Sequence, residues 1–187
     1  MGQDNNYNTY LGCAENDYYF FAEDIQKGRV ANYLASMAQN ICERYLKHII
    51  NSEYNPTSTE ENNDKMTAMR SHNLQKLFQT IEQHTEMKFS LETKNNLRQI
   101  NGYYFSTRYP GEEYIEVTSE DMEICKNAVE LCRNSVMEHI SETQTKDNEQ
   151  KYDIDELLER TKIDRQNCSE ELEQEKDFAK LHNDTIH

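Results

Sequence analysis

The clearest hydrophobic periodicity in the chain lies between Val30 and Ser52. Val30, Leu34, Met37, Ala38, Ile41, Tyr45 and Ile49 recur at i, i+4, i+7, i+8, i+11, i+15 and i+19, the signature of one continuous helix face. Ala31, Ala35 and Ala38 line an adjoining strip of small side chains that lets a neighbouring helix come close. Upstream, Tyr18, Phe21, Ala22 and Ile25 predict a shorter helix over 14–26 that stops near Gly28, behind a polar leader of about ten residues. Downstream, the polar run 53–71, with Pro56 near its front, reads as a long loop. A third helix is expected over 72–85, burying Leu74, Leu77, Phe78 and Ile81. A fourth opens at a Ser90 cap, uses Leu91, Leu97, Ile100, Tyr104 and Phe105, and ends at Thr107 or Arg108, because Pro110 disfavours helical geometry at Tyr109. The fifth starts at Thr118/Ser119 and carries Cys125, Ala128, Val129, Cys132, Val136 and Ile140 on one face.

This pattern predicts an all-α protein, an up-and-down bundle of four to five helices. Only two prolines and five glycines punctuate 187 residues, too few for a chain of strands and turns. The boundaries that follow are a flexible N-terminus over 1–13, the bundle over 14–141, and an acidic linker and amphipathic tail over 142–187. In the tail, Ile154, Leu157, Leu158 and Ile163 allow a short amphipathic turn, and only Leu172, Phe178 and Leu181 remain to be buried beyond it.

Charge narrows the function classes. The net charge is −15, and 14 of the 35 acidic and seven of the 20 basic residues lie beyond residue 140, so about half the excess belongs to the tail. Such a charge repels polyphosphate at long range and argues against general coating of nucleic acid, while leaving room for a local pocket. The five cysteines (Cys13, Cys42, Cys125, Cys132, Cys168) are odd in number and form no C-x-x-C pair, which suits reduced thiols. With no apolar run of membrane-spanning length and no secretory leader, the expectation is a cytoplasmic protein with no membrane association. Six histidines (His48, His72, His84, His139, His182, His187) show no H-x3-H pair and no neighbouring cysteine ligand, so no metal site is expected.

Three motifs stand in order along the chain: "MAQNICERYLKHII" at 37–50, "SHNLQKL" at 71–77 and "YYFSTRYPG" at 103–111. Together they resemble the HEPN family (higher eukaryotes and prokaryotes nucleotide-binding). The resemblance is carried by Ala38, Gln39, Glu43, Leu46 and Lys47 in the first motif, by Ser71, His72, Leu74 and Leu77 in the second, and by Tyr104, Arg108, Tyr109 and Pro110 in the third. It spans about 14–140. It implies a helical bundle that pairs into a symmetric homodimer, with the arginine regions of both subunits converging on a shared cleft. Many members are metal-independent ribonucleases, often toxins, in which an arginine is followed after four to six residues by a histidine. The cation holds the scissile phosphate and the imidazole moves the ribose 2′-hydroxyl proton.

From Arg108, the positions where that histidine is expected hold Glu113, Tyr114 and Ile115. A glutamate can act as a base, but carboxylates beside a phosphate repel it. Arg133 and His139 satisfy the spacing one helix later, where six positions turn the two side chains about 120° apart. The candidate catalytic residues are thus Arg133, His139 and Glu113, and the candidate nucleotide or phosphate contacts are Arg108, Tyr109, Lys47 and His72.

Each has a plainer reading. Arg108 meets the negative end of a helix dipole, Lys47 and Glu43 form a solvated ion pair, and His72 completes a helix start. The rings of Tyr18, Tyr19, Phe20, Phe21, Tyr103, Tyr104 and Phe105 serve as core and dimer seam. The resulting expectation is a nucleotide- or RNA-binding protein that cleaves poorly or not at all and needs no cofactor. By resemblance it works beside a nucleotidyltransferase or another effector in a prokaryotic toxin–antitoxin or defence system. The alternatives are an active endoribonuclease and a ligand-free helical adaptor.

Overall fold

The computed structural model describes residues 8–107, 111 and 114–146. Its elements are α1 (Tyr10–Gln26), α2 (Asn32–Glu53), α3 (Thr59–Met69), α4 (Leu74–His84), α5 (Leu91–Gln99) and α6 (Tyr103–Ser106). Residues 119–146 are also helical. The chain divides into a unit ending at His139 and a second unit, Ile140–His187. The helical residues 119–139 of the first unit are α7 here. Among the described residues every regular element is a helix.

α2 is the hub, packing against α1, α3, α4 and α6. Leu34, Ala35, Ala38, Ile41, Cys42, Tyr45, Leu46, Ile49 and Ile50 are all buried, so its apolar face is broader than one stripe. Val30, expected to head that stripe, precedes the helix and is 45% exposed. From α7, Cys125, Ala128, Val129, Cys132 and Val136 join the core as predicted. The Cys42 thiol lies 3.8 Å from the Ala128 carbonyl, which ties α7 to α2. Burial pushes the Cys125 thiol up to about 12 and that of Cys42 well above its ordinary value, so both act as small apolar residues.

Caps explain where the structure departs from the apolar pattern. α1 starts at Tyr10 because Thr9 Oγ1 accepts the Gly12 N–H at 3.0 Å, drawing part of the expected flexible leader into helix. It stops at Gly28, whose φ of 69° permits the Arg29 N–H to reach the Asp24 carbonyl and the Gly28 N–H to reach that of Ile25.

The expected loop 53–71 contains α3, which buries only Ala68 and is set by its start. Ser58 Oγ accepts the Glu61 N–H at 3.1 Å, and the Glu61 carboxylate accepts the Thr57 N–H at 2.6 Å. α4 is capped by Asn73, not by Ser71 or His72.

The single helix expected from Ser90 to Thr107 is two. The chain turns at Asn101–Gly102, where Gly102 takes a φ of 114° that a side chain would resist, and resumes as the one-turn α6. Asn101 Oδ1 accepts the Leu74 N–H at 2.8 Å, anchoring the turn to the start of α4.

α7 opens with Thr118 and Asp121 capping each other, since Thr118 N–H donates to Asp121 Oδ2 and Asp121 N–H to Thr118 Oγ1. In the second unit residues 140–146 are helical, so the linker expected from residue 142 begins as helix. The amphipathic tail segment beyond Lys146 lies outside the described residues. No helix among the described residues is long and apolar enough to cross a membrane.

Candidate functional site

Gln39, Glu43 and Lys47 follow one another at i, i+4 and i+8 on α2, so their side chains share one face. That face is buried: the three residues are 1%, 7% and 6% exposed. Polar groups in such a place need partners, and each has them.

Gln39 joins two loops to α2. Its Nε2 donates to the His72 carbonyl at 2.8 Å, and its Oε1 accepts the N–H groups of Gly102 at 3.0 Å and Tyr104 at 2.8 Å. The loop before α4 and the turn that opens α6 are thereby held side by side.

Glu43 links the same loop to Lys47. Lys47 Nζ donates to Glu43 Oε1 at 2.7 Å, and His72 Nδ1 lies 3.0 Å from Glu43 Oε2. The Glu43–Lys47 pair expected to be solvated is enclosed, because α2 is covered on this side by the α4 loop and α6. Lys47 therefore braces Glu43 from within the protein.

The His72 ring stacks on Tyr104 with centroids 5.2 Å apart and planes 2° from parallel, and meets the edge of Phe105 at 6.0 Å. Phe105 is 54% exposed and the His72 side chain 47%. These rings, with Tyr104 and Phe105 expected inside the core or a dimer seam, form an aromatic surface beside α6 that faces solvent.

α6 leads into the arginine turn. Arg108, Tyr109 and Glu113 lie outside the described residues, and only the flanks of the turn are defined. Asn32 holds both flanks: its Nδ2 lies 2.7 Å from the Ile115 carbonyl and 3.4 Å from that of Thr107, while its Oδ1 accepts the Val117 N–H at 3.0 Å. Ile115 N–H also donates to the Ser106 carbonyl at 2.8 Å.

Two open clefts abut these flanks. One, of about 460 Å³, is lined by Asp17, Tyr33, Ser36, Met37, Asn40 and Thr107. The other, of about 600 Å³, includes Asn101, Gly102, Phe105, Ser106, Tyr114 and Ile115. An ion pair between Arg44 and Asp17 joins α2 to α1 beside the first.

Arg133 and His139 do not converge. The Arg133 guanidinium binds Glu15 of α1 through Nε at 2.9 Å and Nη2 at 2.8 Å, and it lies over the Tyr18 ring at 4.6 Å. His139 Nε2 faces both carboxylate oxygens of Glu53, at the end of α2, at 2.9 Å. Tyr45, fully buried, donates its hydroxyl proton to Glu15 Oε1 at 2.5 Å.

Burial would raise the Glu15 carboxyl, but hydrogen bonds from Arg133 and Tyr45 and the charge of Arg133 outweigh it and hold it below its ordinary value of 4.5. A depressed carboxyl contributes stability that is complete above its unfolded value and lost as pH falls through its folded one. Urea unfolding followed from pH 6 downward is therefore expected to show stability falling below about pH 4.5. In a Glu15→Gln variant that fall becomes shallower, and identical slopes would remove Glu15 from the account.

Sequence reading missed Asn32 and Glu15. Neither stands in a motif: the backbone partners of Asn32 lie 75 to 85 residues away, and Tyr45 and Arg133, the partners of Glu15, lie 30 and 118 away.

No curated protein and no solved structure matches the chain significantly. The HEPN domain family model matches residues 14–140, a span that contains the α2 polar face, the His72 loop and the arginine turn. With that span covering well over half of its length, the chain belongs to the HEPN domain family.

Proposed function

We propose that the chain binds a nucleotide or an RNA phosphate at the arginine turn, with Arg108 and Tyr109 meeting the phosphate and the rings of His72, Tyr104 and Phe105 meeting a base. The observation that supports this reading is the solvent-facing aromatic surface on the turn that runs into Arg108, with its backbone fixed by Gln39. Exposed aromatic rings beside a cation suit a ligand that has both a π-face and a charge. Lys47 acts in this reading through Glu43 rather than by touching phosphate.

The net charge of −15 makes the site local, so it takes a mononucleotide or a few nucleotides of single strand rather than a long duplex. The wider setting in this proposal is a cytoplasmic homodimer of a prokaryotic toxin–antitoxin or defence system, with a nucleotidyltransferase or another effector as partner.

Fluorescence anisotropy with a short labelled single-stranded RNA, and calorimetry with ATP, test the binding. Arg108→Ala is expected to weaken it at least tenfold, and Phe105→Ala by about 1–3 kcal/mol for one lost base stack. Both variants keep the helical circular-dichroism signal. Absence of binding by the wild type, or equal binding by both variants, would defeat the reading.

A further inference from the structure

The apolar face of α1 is only partly covered. Tyr18, Phe21, Ala22 and Ile25 follow one another at i, i+3, i+4 and i+7 on one side of the helix, and Phe21 is buried while the other three are half-buried. Toward the start of α1 this side is closed against α7, where Glu15 binds the Arg133 guanidinium and Tyr18 lies beneath it. Further along, Ala22 contributes only a methyl group, and an open groove of about 400 Å³ remains between the two helices.

The α7 wall of the groove carries Glu123, Lys126 and Glu130, again at i, i+3 and i+7. Gln26 forms the opposite rim, and Tyr19, seven residues earlier, stands almost in line with it along α1. Tyr19 is 66% exposed, and its ring meets that of Phe20, itself 51% exposed, edge-on at 5.3 Å. A contiguous apolar surface with a charged rim is the mark of a docking site, which a single exposed side chain is not.

Length and charge say what fits. From Tyr18 to Ile25 the groove runs for about 10 Å, two turns of helix, which matches the i, i+3 or i+4, and i+7 anchors of a helix lying in a groove. Glu123 is paired with Lys126 at 3.4 Å, whereas Glu130 is exposed and has no ion pair or hydrogen bond among the described residues. A second copy of the chain brings the same charge of −15, and residues 141–187 hold 14 acids against seven bases, so both have the wrong sign to meet Glu130.

We propose that this groove takes an amphipathic helix of a basic partner protein. Its apolar anchors lie over Phe21, Ala22 and Ile25, its outer edge meets Tyr19, and a Lys or Arg reaches Glu130. The lining shares no residue with the arginine turn, so the groove serves this role whether or not that turn binds phosphate.

The probe is a fluorescein-labelled, amidated peptide of leucine and lysine, about four turns long, with its leucines on one helix face. One control keeps the composition and scatters the leucines around the helix, and a second has glutamate in place of lysine. Anisotropy with the full chain at physiological ionic strength is expected to show the patterned basic peptide binding at least tenfold more tightly than either control. Ala22→Arg, which lays a bulky cation across the floor from a half-buried position, and Glu130→Lys each weaken it about tenfold or more. Glu86→Lys, in the exposed stretch after α4, changes the net charge as much as Glu130→Lys does and leaves binding unchanged. If Ala22→Arg loses its helical circular-dichroism signal, Ile25→Lys takes its place.

Absence of binding overturns the proposal, as does equal binding of the patterned and scattered peptides or equal weakening by Glu86→Lys and Glu130→Lys. A change of oligomeric state caused by Ala22→Arg in sedimentation also overturns it, giving the groove to a second copy. Binding that emerges only when Leu157 and Leu158 are both replaced by Asp overturns it in favour of the chain's own C-terminal segment.

Discussion

Replacing Glu43 with alanine is expected to lower the free energy of unfolding by about 3–5 kcal/mol, out of the roughly 5–15 kcal/mol that such a domain has. The reason is the charge left behind. Lys47 Nζ sits 2.7 Å from the lost carboxylate with its side chain 8% exposed, so the ammonium stays in a place that water barely reaches. Taking an ion out of water costs several kcal/mol, and only a close partner offsets that.

The double variant Glu43→Leu/Lys47→Met removes both charges and is expected to recover most of the loss, since well-packed apolar side chains replace a buried pair at little net cost. Urea unfolding at pH 7 measures all three proteins. A loss below about 1 kcal/mol for the alanine variant would mean that the pair behaves as an ordinary solvated i, i+4 contact.

The second large effect belongs to Gln39. Changing it to methionine keeps the side-chain volume and removes three hydrogen bonds to backbone groups: the His72 carbonyl and the N–H groups of Gly102 and Tyr104. Each orphaned group costs about 1–3 kcal/mol where water cannot replace the amide, and partial access to water at this seam brings the expected total to about 2–4 kcal/mol. The Gln39 side chain is what couples α6 to the loop before α4, so the loss has a local mark as well. Amide hydrogen exchange at Gly102 and Tyr104 is expected to quicken well before global unfolding. Unchanged protection at those two amides would show that the turn holds itself.

Most of the bundle is legible in the chain. Leu34, Ala38, Ile41, Tyr45 and Ile49 of the α2 stripe and the Leu74, Leu77, Phe78, Ile81 set bury as their spacing predicts, because a helix repeats every 3.6 residues whatever surrounds it, while Met37 stays half-buried beside the first cleft. α3 was hidden for the complementary reason. It buries only Ala68, and its start rests on Ser58 and Glu61, residues that read equally well as loop. The break between α5 and α6 turned on Gly102, which lies inside an apolar pattern that continues across it.

The site divides in the same way. Gln39, Glu43, Lys47 and His72 stand in motifs, and those motifs in their order lead to the HEPN family. Their environment was not legible: four-residue spacing between Glu43 and Lys47 is the same for a solvated pair and a buried one. Arg133 and His139 have the right separation along the chain, yet each is taken by a different carboxylate, Glu15 and Glu53.

By itself the sequence determined where most of the helices form, which of their faces are apolar, how acidic the chain is and which family it joins, because period and composition act between near neighbours. Only the tertiary structure decided that the α2 polar face is covered, that His72 is oriented by Glu43, and that Asn32 ties Thr107 to Ile115 and Val117. Those outcomes depend on contacts between residues 29 to 85 positions apart, and no local pattern records which distant group will arrive to exclude water or complete a hydrogen bond.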